Sequence, residues 1–295
     1  MVILEISSCL LDQNRWQPWE YQFLLMTAVY AFFASEKKVK TGWQIIIMGL
    51  YFFSGISKFN HGFILKVWND LILHQWLGLT VQNQLIYRMG YLLPLIEIFA
   101  AIGLIFNRSR KPAVIMLCLM HVFNLLLLGP LGLDLDSFVI WPWNILMPFL
   151  LLFLFYKNIF EHSPLMQKPI GLWFIALLCW ILPWLNLAGY WDDYLSFTLY
   201  SGKTQHLFIC ISDPAIKHQF HDRLVLSKSS QVCDSTLSIY KWSLQELKVS
   251  PNPELRVYKE IIRQWEKNYD TTATDKFILF SPKFSSKRWV ILPPN

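Results

Sequence analysis

Three short basic runs set the geometry of this chain: Glu36-Lys37-Lys38-Val39-Lys40, Asn107-Arg108-Ser109-Arg110-Lys111, and the stretch from Tyr156-Lys157 to Lys168. Each stands between hydrophobic stretches long enough to cross a bilayer, and together they occupy every second connection. Lys and Arg concentrate in the short cytoplasmic loops of membrane proteins. The three runs therefore predict three cytoplasmic connections, with the intervening connections and both termini on the outer side.

Composition agrees with this frame. Of 295 residues, 54% are hydrophobic, with 14 Trp and 22 Phe, and the mean hydropathy is +0.35. A soluble domain of this size does not carry so much apolar material in blocks. Trp16, Trp19, Trp43, Trp141, Trp143, Trp184, Tyr190 and Trp191 fall near block ends, where interfacial anchors belong. Much of the net charge of +6 lies in the basic loops, so it speaks for a lipid bilayer as partner and not for nucleic acid. Met1 to Ser8 carries no basic stretch ahead of an apolar core, so the first segment reads as a retained span.

The expected fold is mainly α: a polytopic helical membrane bundle of about six transmembrane helices with a small C-terminal α+β extracytoplasmic domain. The spans run roughly over 19–35, 41–57, 90–106, 112–128, 138–156 and 170–188. At about 1.5 Å per residue each covers roughly 25–29 Å, near the thickness of a bilayer core. Residues 60–89 are apolar but broken by charges, which predicts an amphipathic or re-entrant segment able to act as a lid. The transmembrane domain is thus 1–189 and the extracytoplasmic domain 190–295. In the latter, strand-length apolar runs occur at 206–212, 237–242, 276–280 and 289–292, and a helix follows Asn252-Pro253. Five cysteines are present without a Cys-x-x-Cys pair. Cys210 and Cys233 both fall in the outer domain and are candidates for a disulfide. No metal-ligand spacing or phosphate loop occurs.

A few polar residues interrupt the apolar spans. Lys58 ends the second, Glu97 lies in the third, His121 and Asn124 share a face of the fourth, and Asn144 follows Trp141-Pro142-Trp143 in the fifth. Helical rise puts all of them in the outer half of the bilayer. An ionised group there costs roughly 2.5–3.5 kcal/mol on insertion scales, so such groups are expected to face one another or a wet cavity. Lys58, Glu97 and His121 are the candidate catalytic groups, and Asn124, Trp141, Trp143 and Asn144 the candidate ligand-binding ones. The competing reading makes the same residues interhelical glue, worth about 0.6 kcal/mol per contact.

The stretch Phe53-Ser54-Gly55-Ile56-Ser57-Lys58-Phe59 resembles a segment of the vitamin K-dependent γ-carboxylases. The runs from Glu97 to Leu104 and from Met120-His121 to Asn124-Leu125, and later Leu195 to Gly202, are similar in order to that family and to its bacterial HTTM relatives. Gly55-x-x-Lys58 and Pro94-x-x-Glu97 also resemble the pattern of DoxX and MauE membrane proteins. The resemblance implies Lys58 as the base that acts on a quinone-type cofactor, with Glu97, His121 and Asn124 around it. It also implies a bacterial inner membrane. The chain lacks the large lumenal region of the carboxylases, which argues against peptide glutamate carboxylation itself.

Two classes of function follow. One is a membrane enzyme, carboxylase-like or oxidoreductase-like, that uses a quinone-like or lipidic ligand and matures an exported peptide or protein bound by the C-terminal domain. The other is a non-catalytic scaffold or partner-binding subunit, with a DoxX/MauE-like redox accessory protein between them.

Overall fold

A computed structural model describes residues 1–80, 83–129, 132–133, 140–156, 169–226, 233, 235–269, 275–281 and 289–292. The third basic run, after Tyr156, lies outside these residues. The chain forms two compact units, Met1–Gly202 and Lys203–Asn295.

The first unit is helical. Its order is α1 Val2–Leu11, α2 Pro18–Phe32, α3 Glu36–Ser57, α4 His61–Phe63, α5 Gln84–Met89, α6 Leu92–Gly103, α7 Asn107–Leu128, α8 Ile140–Leu151, α9 Ile170–Ala176 and α10 Leu182–Leu187. Stretches of π-helix continue α4 over Ile64–Trp76, extend α8 over Leu152–Tyr156, and join α9 to α10 over Leu177–Ile181. Helix α3 is central: it packs on α2, α6 and α9, and Ile46, Ile47 and Leu50 are fully buried. The outward faces of α7 to α10 are apolar, with Ile115, Leu119, Phe149, Phe174 and Ile181 all more than half exposed. A contiguous apolar surface of this kind marks a face made for a non-aqueous neighbour.

Three helical stretches are long and apolar enough to cross a membrane: Gln84–Gly103, Asn107–Leu128 and Ile170–Leu187. Six such spans are not found among the described residues, and the reasons differ. Helix α2 has 15 residues, and the described stretch Ile140–Tyr156 is likewise short. Helix α3 reaches 22 residues, but it begins with four charged groups and carries Gln44, Ser54 and Ser57, all buried inside the unit. A helix surrounded by other helices need not be uniformly apolar.

The two described basic runs open α3 and α7. Lys40 lies over the ring of Phe153 at 5.4 Å and Lys111 over that of Tyr156 at 5.6 Å. Both runs therefore sit at one end of the unit, beside the end of the α8 helix. Arg110 is 4% exposed because it caps α6: its Nε donates to Leu104 O at 2.9 Å and Nη2 to Ile105 O at 3.1 Å. These are carbonyls that a helix end otherwise leaves unpaired.

Gly55 sets the seam between α3 and α6. A Cβ there would stand 2.6 Å from Ile98 Cγ1 and 3.1 Å from Pro94 O. The two backbones touch at this point, and the contact brings Lys58, one turn on, level with Glu97. Gly55→Val is expected to cost about 1–3 kcal/mol, to be measured by thermal unfolding in detergent; an unchanged melting temperature would contradict the close approach.

The first unit extends beyond residue 189, where the sequence placed the boundary. Phe197 is fully buried in its core and lies 5.5 Å from the ring of Tyr21. Asn60 Nδ2 donates to both Ser57 O and Ser201 O at 2.8 Å, and Gly62 meets the backbone of Gly202, whose φ is +66°. The contacts of Asn60 and Gly62 with Ser201 and Gly202, made by short polar and glycine residues, carry no hydropathy signal.

The second unit is α+β. Its five strands, β1 His206–Cys210, β2 Leu224–Leu226, β3 Ser235–Ser238, β4 Lys276–Phe280 and β5 Trp289–Leu292, form one antiparallel sheet in the order β2-β3-β1-β4-β5. Leu207, Ile209, Phe277 and Leu279 face a core completed by Phe220, which follows helix α11 (Pro214–Gln219), and by Tyr258, Ile262 and Trp265 of α13 (Leu255–Tyr269). The apolar run at 237–242 is not a strand throughout. Ser238 ends β3 and caps helix α12, Ile239–Leu247, accepting from Lys241 N at 3.4 Å, as serine at an N-cap does. Helix α13 starts at Leu255, after Asn252 and Pro253. Cys210 and Cys233 are joined as a disulfide with a Cα–Cα distance of 6.2 Å, within the usual range.

On the exposed face of α13, Arg263 donates two hydrogen bonds to Glu260, at 2.6 and 2.8 Å, and Gln264 donates one at 2.8 Å. The arginine first, then the glutamine, pull the Glu260 carboxyl down to about 2. A pKa lower in the folded than in the unfolded chain adds stability above the unfolded value, and that stability is lost as pH falls through the folded one. Glu260→Gln is expected to melt slightly lower at pH 7 and equal to wild type near pH 2. A difference that persists unchanged at low pH would show that the ion pair is not its source.

Candidate functional site

Lys58 follows the last turn of α3. Its Nζ pairs with Glu97 Oε2 of α6 and donates to Ser54 Oγ, one turn back, at 2.8 Å. The two charged side chains are 12% and 5% exposed. An ammonium has three donors, and among the described residues two of the three are committed here. Lys58 also lines a cavity of about 280 Å³, so the third donor is available to whatever occupies that space.

The cavity lies between α3, α6, α7 and the π-helical stretch after α4. Its polar lining comprises Tyr51, Ser54, Lys58, Glu97, His121, Asn124 and Tyr200; the rest is mainly aliphatic and aromatic, including Phe63, Val67, Ile72 and Trp143. A mainly apolar wall with a few converging polar groups is the usual make-up of a small-molecule site. The π-helix is rare, and its single-turn bulges within α-helices are frequent at functional sites. Here Ile64 and Ile72 are buried, while Val67, Leu71 and Ile72 form one wall of the cavity.

Behind the lysine pair stands a second network. His121 is fully buried; its Nε2 is 2.7 Å from Tyr51 Oη and its Nδ1 is 2.8 Å from Asn144 Oδ1. Asn144 Nδ2 donates to Ile140 O at 3.0 Å, which orients the amide oxygen toward the ring. Nδ1–H therefore donates to Asn144, and the neutral ring accepts from the Tyr51 hydroxyl. With its proton engaged, the Tyr51 oxygen offers the cavity lone pairs only. Trp143 packs edge-on to His121, and its Nε1 donates to Gln22 Oε1 at 2.8 Å.

Lys58, Glu97, His121, Asn124 and Trp143 thus line one cavity. Asn144 does not; it holds His121 from behind. Trp141 is also outside it, its ring standing 3.5 Å from where a side chain on Gly129 would begin. Asn124 has no hydrogen-bond partner among the described residues and is only partly buried, so its amide is free to meet a ligand. Cys210 and Cys233 belong to the other unit and are structural. Among the described residues no cluster of ligating side chains is placed to hold a metal.

Tyr200, which borders the cavity, and Tyr51 and Ser54 of α3 are not among the sequence-based candidates. Tyr51 and Ser54 lie on the Lys58 face of α3, seven and four residues back, and that spacing was the only available signal. A tyrosine or serine within an apolar helix is otherwise unremarkable.

This arrangement can hold a neutral polar head group by donors (Lys58, Asn124) and an acceptor (Tyr51), and it can move a proton. Within the pair a proton can pass from the Lys58 ammonium to the Glu97 carboxylate. The amine so left can take a proton from a bound hydroxyl, and the ammonium that re-forms balances the new oxyanion. Comparison of the chain with family models, with curated proteins and with solved structures finds no significant match to any of them.

Proposed function

We propose that the first unit is a membrane domain of the HTTM and γ-carboxylase-like type, whose cavity binds the head of a quinone-like, lipid-soluble molecule with Lys58 as the proton-transferring group. The observation that carries this reading is the Lys58–Glu97 pair opening on a mainly apolar cavity walled in part by two helices long and apolar enough to cross a membrane. A buried ion pair is a poor device for stability alone, and a pair of charged groups held in a cleft is a candidate for chemistry.

In this proposal α2, α3 and the α8 helix cross the bilayer together with the three stretches that are long and apolar enough by themselves, giving six spans. The placement of Lys40 and Lys111 at one end of the unit supports a cytoplasmic location for that end. Lys58 lies 18 residues beyond Lys40 on the same helix, about 27 Å away, which supports a site in the outer leaflet; with six spans, both termini then lie outside. The membrane is a bacterial inner membrane. The second unit, disulfide-bonded as outer-side domains are, is where an exported peptide or protein would bind.

Titration of an isoprenoid-tailed naphthoquinone into the protein in lipid nanodiscs, followed by calorimetry, tests the reading. Wild type is expected to bind one equivalent saturably, and Lys58→Met/Glu97→Leu to bind at least about tenfold more weakly. Equal binding by the two would remove the site.

A second reading, a non-catalytic scaffold or redox accessory subunit, is favoured by the His121 network, whose buried groups are satisfied internally and tie α3, α7 and α8 together. It requires that a Lys58→Met/Glu97→Leu protein rescue a deletion strain in full.

A further inference from the structure

The cavity is elongated. Its lining on α7 runs from Met116 to Leu128, about 18 Å of helix. Its volume of about 280 Å³ falls just below the roughly 300–1,000 Å³ of pockets that enclose a drug-sized ligand whole. A head group fills it; a long chain does not fit inside.

One side of the lining is also surface. Ile96 of α6 is 41% exposed, and Met116 and Leu119 of α7 are 44% and 58% exposed, yet all three border the cavity. The helices α6 and α7 form a hairpin that is closed at its turn, where a Cβ on Gly103 would sit 3.1 Å from that of Ala113. Farther along, the space between the two helices belongs to the cavity. Phe99 of α6 and Ile115 and Val122 of α7 are exposed apolar side chains on the same two helices. Both flanking helices belong to the stretches long and apolar enough to cross a membrane. Met116 and Leu119 lie five and eight residues beyond Lys111, about 8 and 12 Å along the helix. In a bilayer core of about 30 Å the mouth therefore opens into hydrocarbon and not into water.

We infer that the slot between α6 and α7 is a lateral portal: the ligand enters from the bilayer, and its acyl- or isoprenoid-type tail stays threaded between Ile96 and Leu119 while the head sits at Lys58 and Tyr51. This rests on the reading that the cavity holds the head of a lipid-soluble molecule. It adds a specificity rule, since tail and head are recognised at separate places.

The portal is tested by Met116→Trp/Leu119→Trp in nanodiscs; both positions are exposed, so bulk there does not overpack the core. Two naphthoquinones with the same ring are titrated, one with a 20-carbon isoprenoid tail and one with a methyl group. The expected result is an affinity loss of about tenfold or more for the tailed compound and less than about twofold for the other. Equal losses, or no loss, overturn the portal. If neither compound binds wild type, the head-group reading fails, and the portal is judged by a phosphatidylcholine carrying a diazirine near its acyl terminus. Adducts on the buried Leu50 or Tyr51 in wild type, lost in the double tryptophan variant, support a lateral opening. Adducts confined to outer faces in both proteins overturn it.

Discussion

Lys58→Met and Glu97→Leu, each made alone, are expected to lower the unfolding free energy by about 3–5 kcal/mol, while the two changes together restore most of it. Breaking a desolvated ion pair leaves one charge buried and unpaired, whereas replacing both members with apolar side chains is often neutral or stabilising. The pair here meets that condition, with side chains 12% and 5% exposed. Among the described residues, only Ser54 remains to share the charge of a stranded Lys58. Steric trapping or thermal unfolding in nanodiscs measures the three variants. Additive losses would show that the pair is solvated and that its partners act independently. The stable double variant is also the proper control for function, because it removes the chemistry and keeps the fold.

His121→Ala is expected to cost a further class of stability, about 3–5 kcal/mol. It strands two buried groups, the Tyr51 hydroxyl and the Asn144 amide oxygen, at about 1–3 kcal/mol each, and it opens a cavity at a fully buried position. Tyr51→Phe should cost only about 1–2 kcal/mol, since His121 keeps Asn144. In the His121→Ala background the same tyrosine change should cost almost nothing, giving a coupling of at least about 1 kcal/mol. Full additivity would place Tyr51 and His121 in separate networks.

Polar residues inside apolar stretches can be found by reading, because their presence there is itself anomalous. Lys58, Glu97, His121, Asn124 and Asn144 stand out in this way. Which of them touch cannot be read, because spacing along one helix does not fix its rotation against another. Trp141 and Trp143 are two residues apart and look equivalent in sequence; one packs near Gly129 and the other borders the cavity. The Gly55 and Pro94 spacing is a case where the meaning appears only in three dimensions: glycine lets the backbones touch, and the ion pair follows one turn away. The fold shows the same division. Apolar blocks at 90–106, 112–128 and 170–188 correspond to the three long apolar stretches. Helix α3, buried among its neighbours, reads as a span at 41–57 but carries too many polar groups to count among those three. The run at 237–242 looked uniform because a strand and a helix meet at Ser238 without a break in hydropathy.

The most direct test of the central claim is a density map of the protein in nanodiscs prepared with an isoprenoid-tailed naphthoquinone. The account predicts a flat feature within hydrogen-bonding reach of Lys58 Nζ, Tyr51 Oη and Asn124, continuing as a thin one between α6 and α7. A cavity empty of density at full occupancy of added ligand, or Lys58 and Glu97 turned apart, would contradict it.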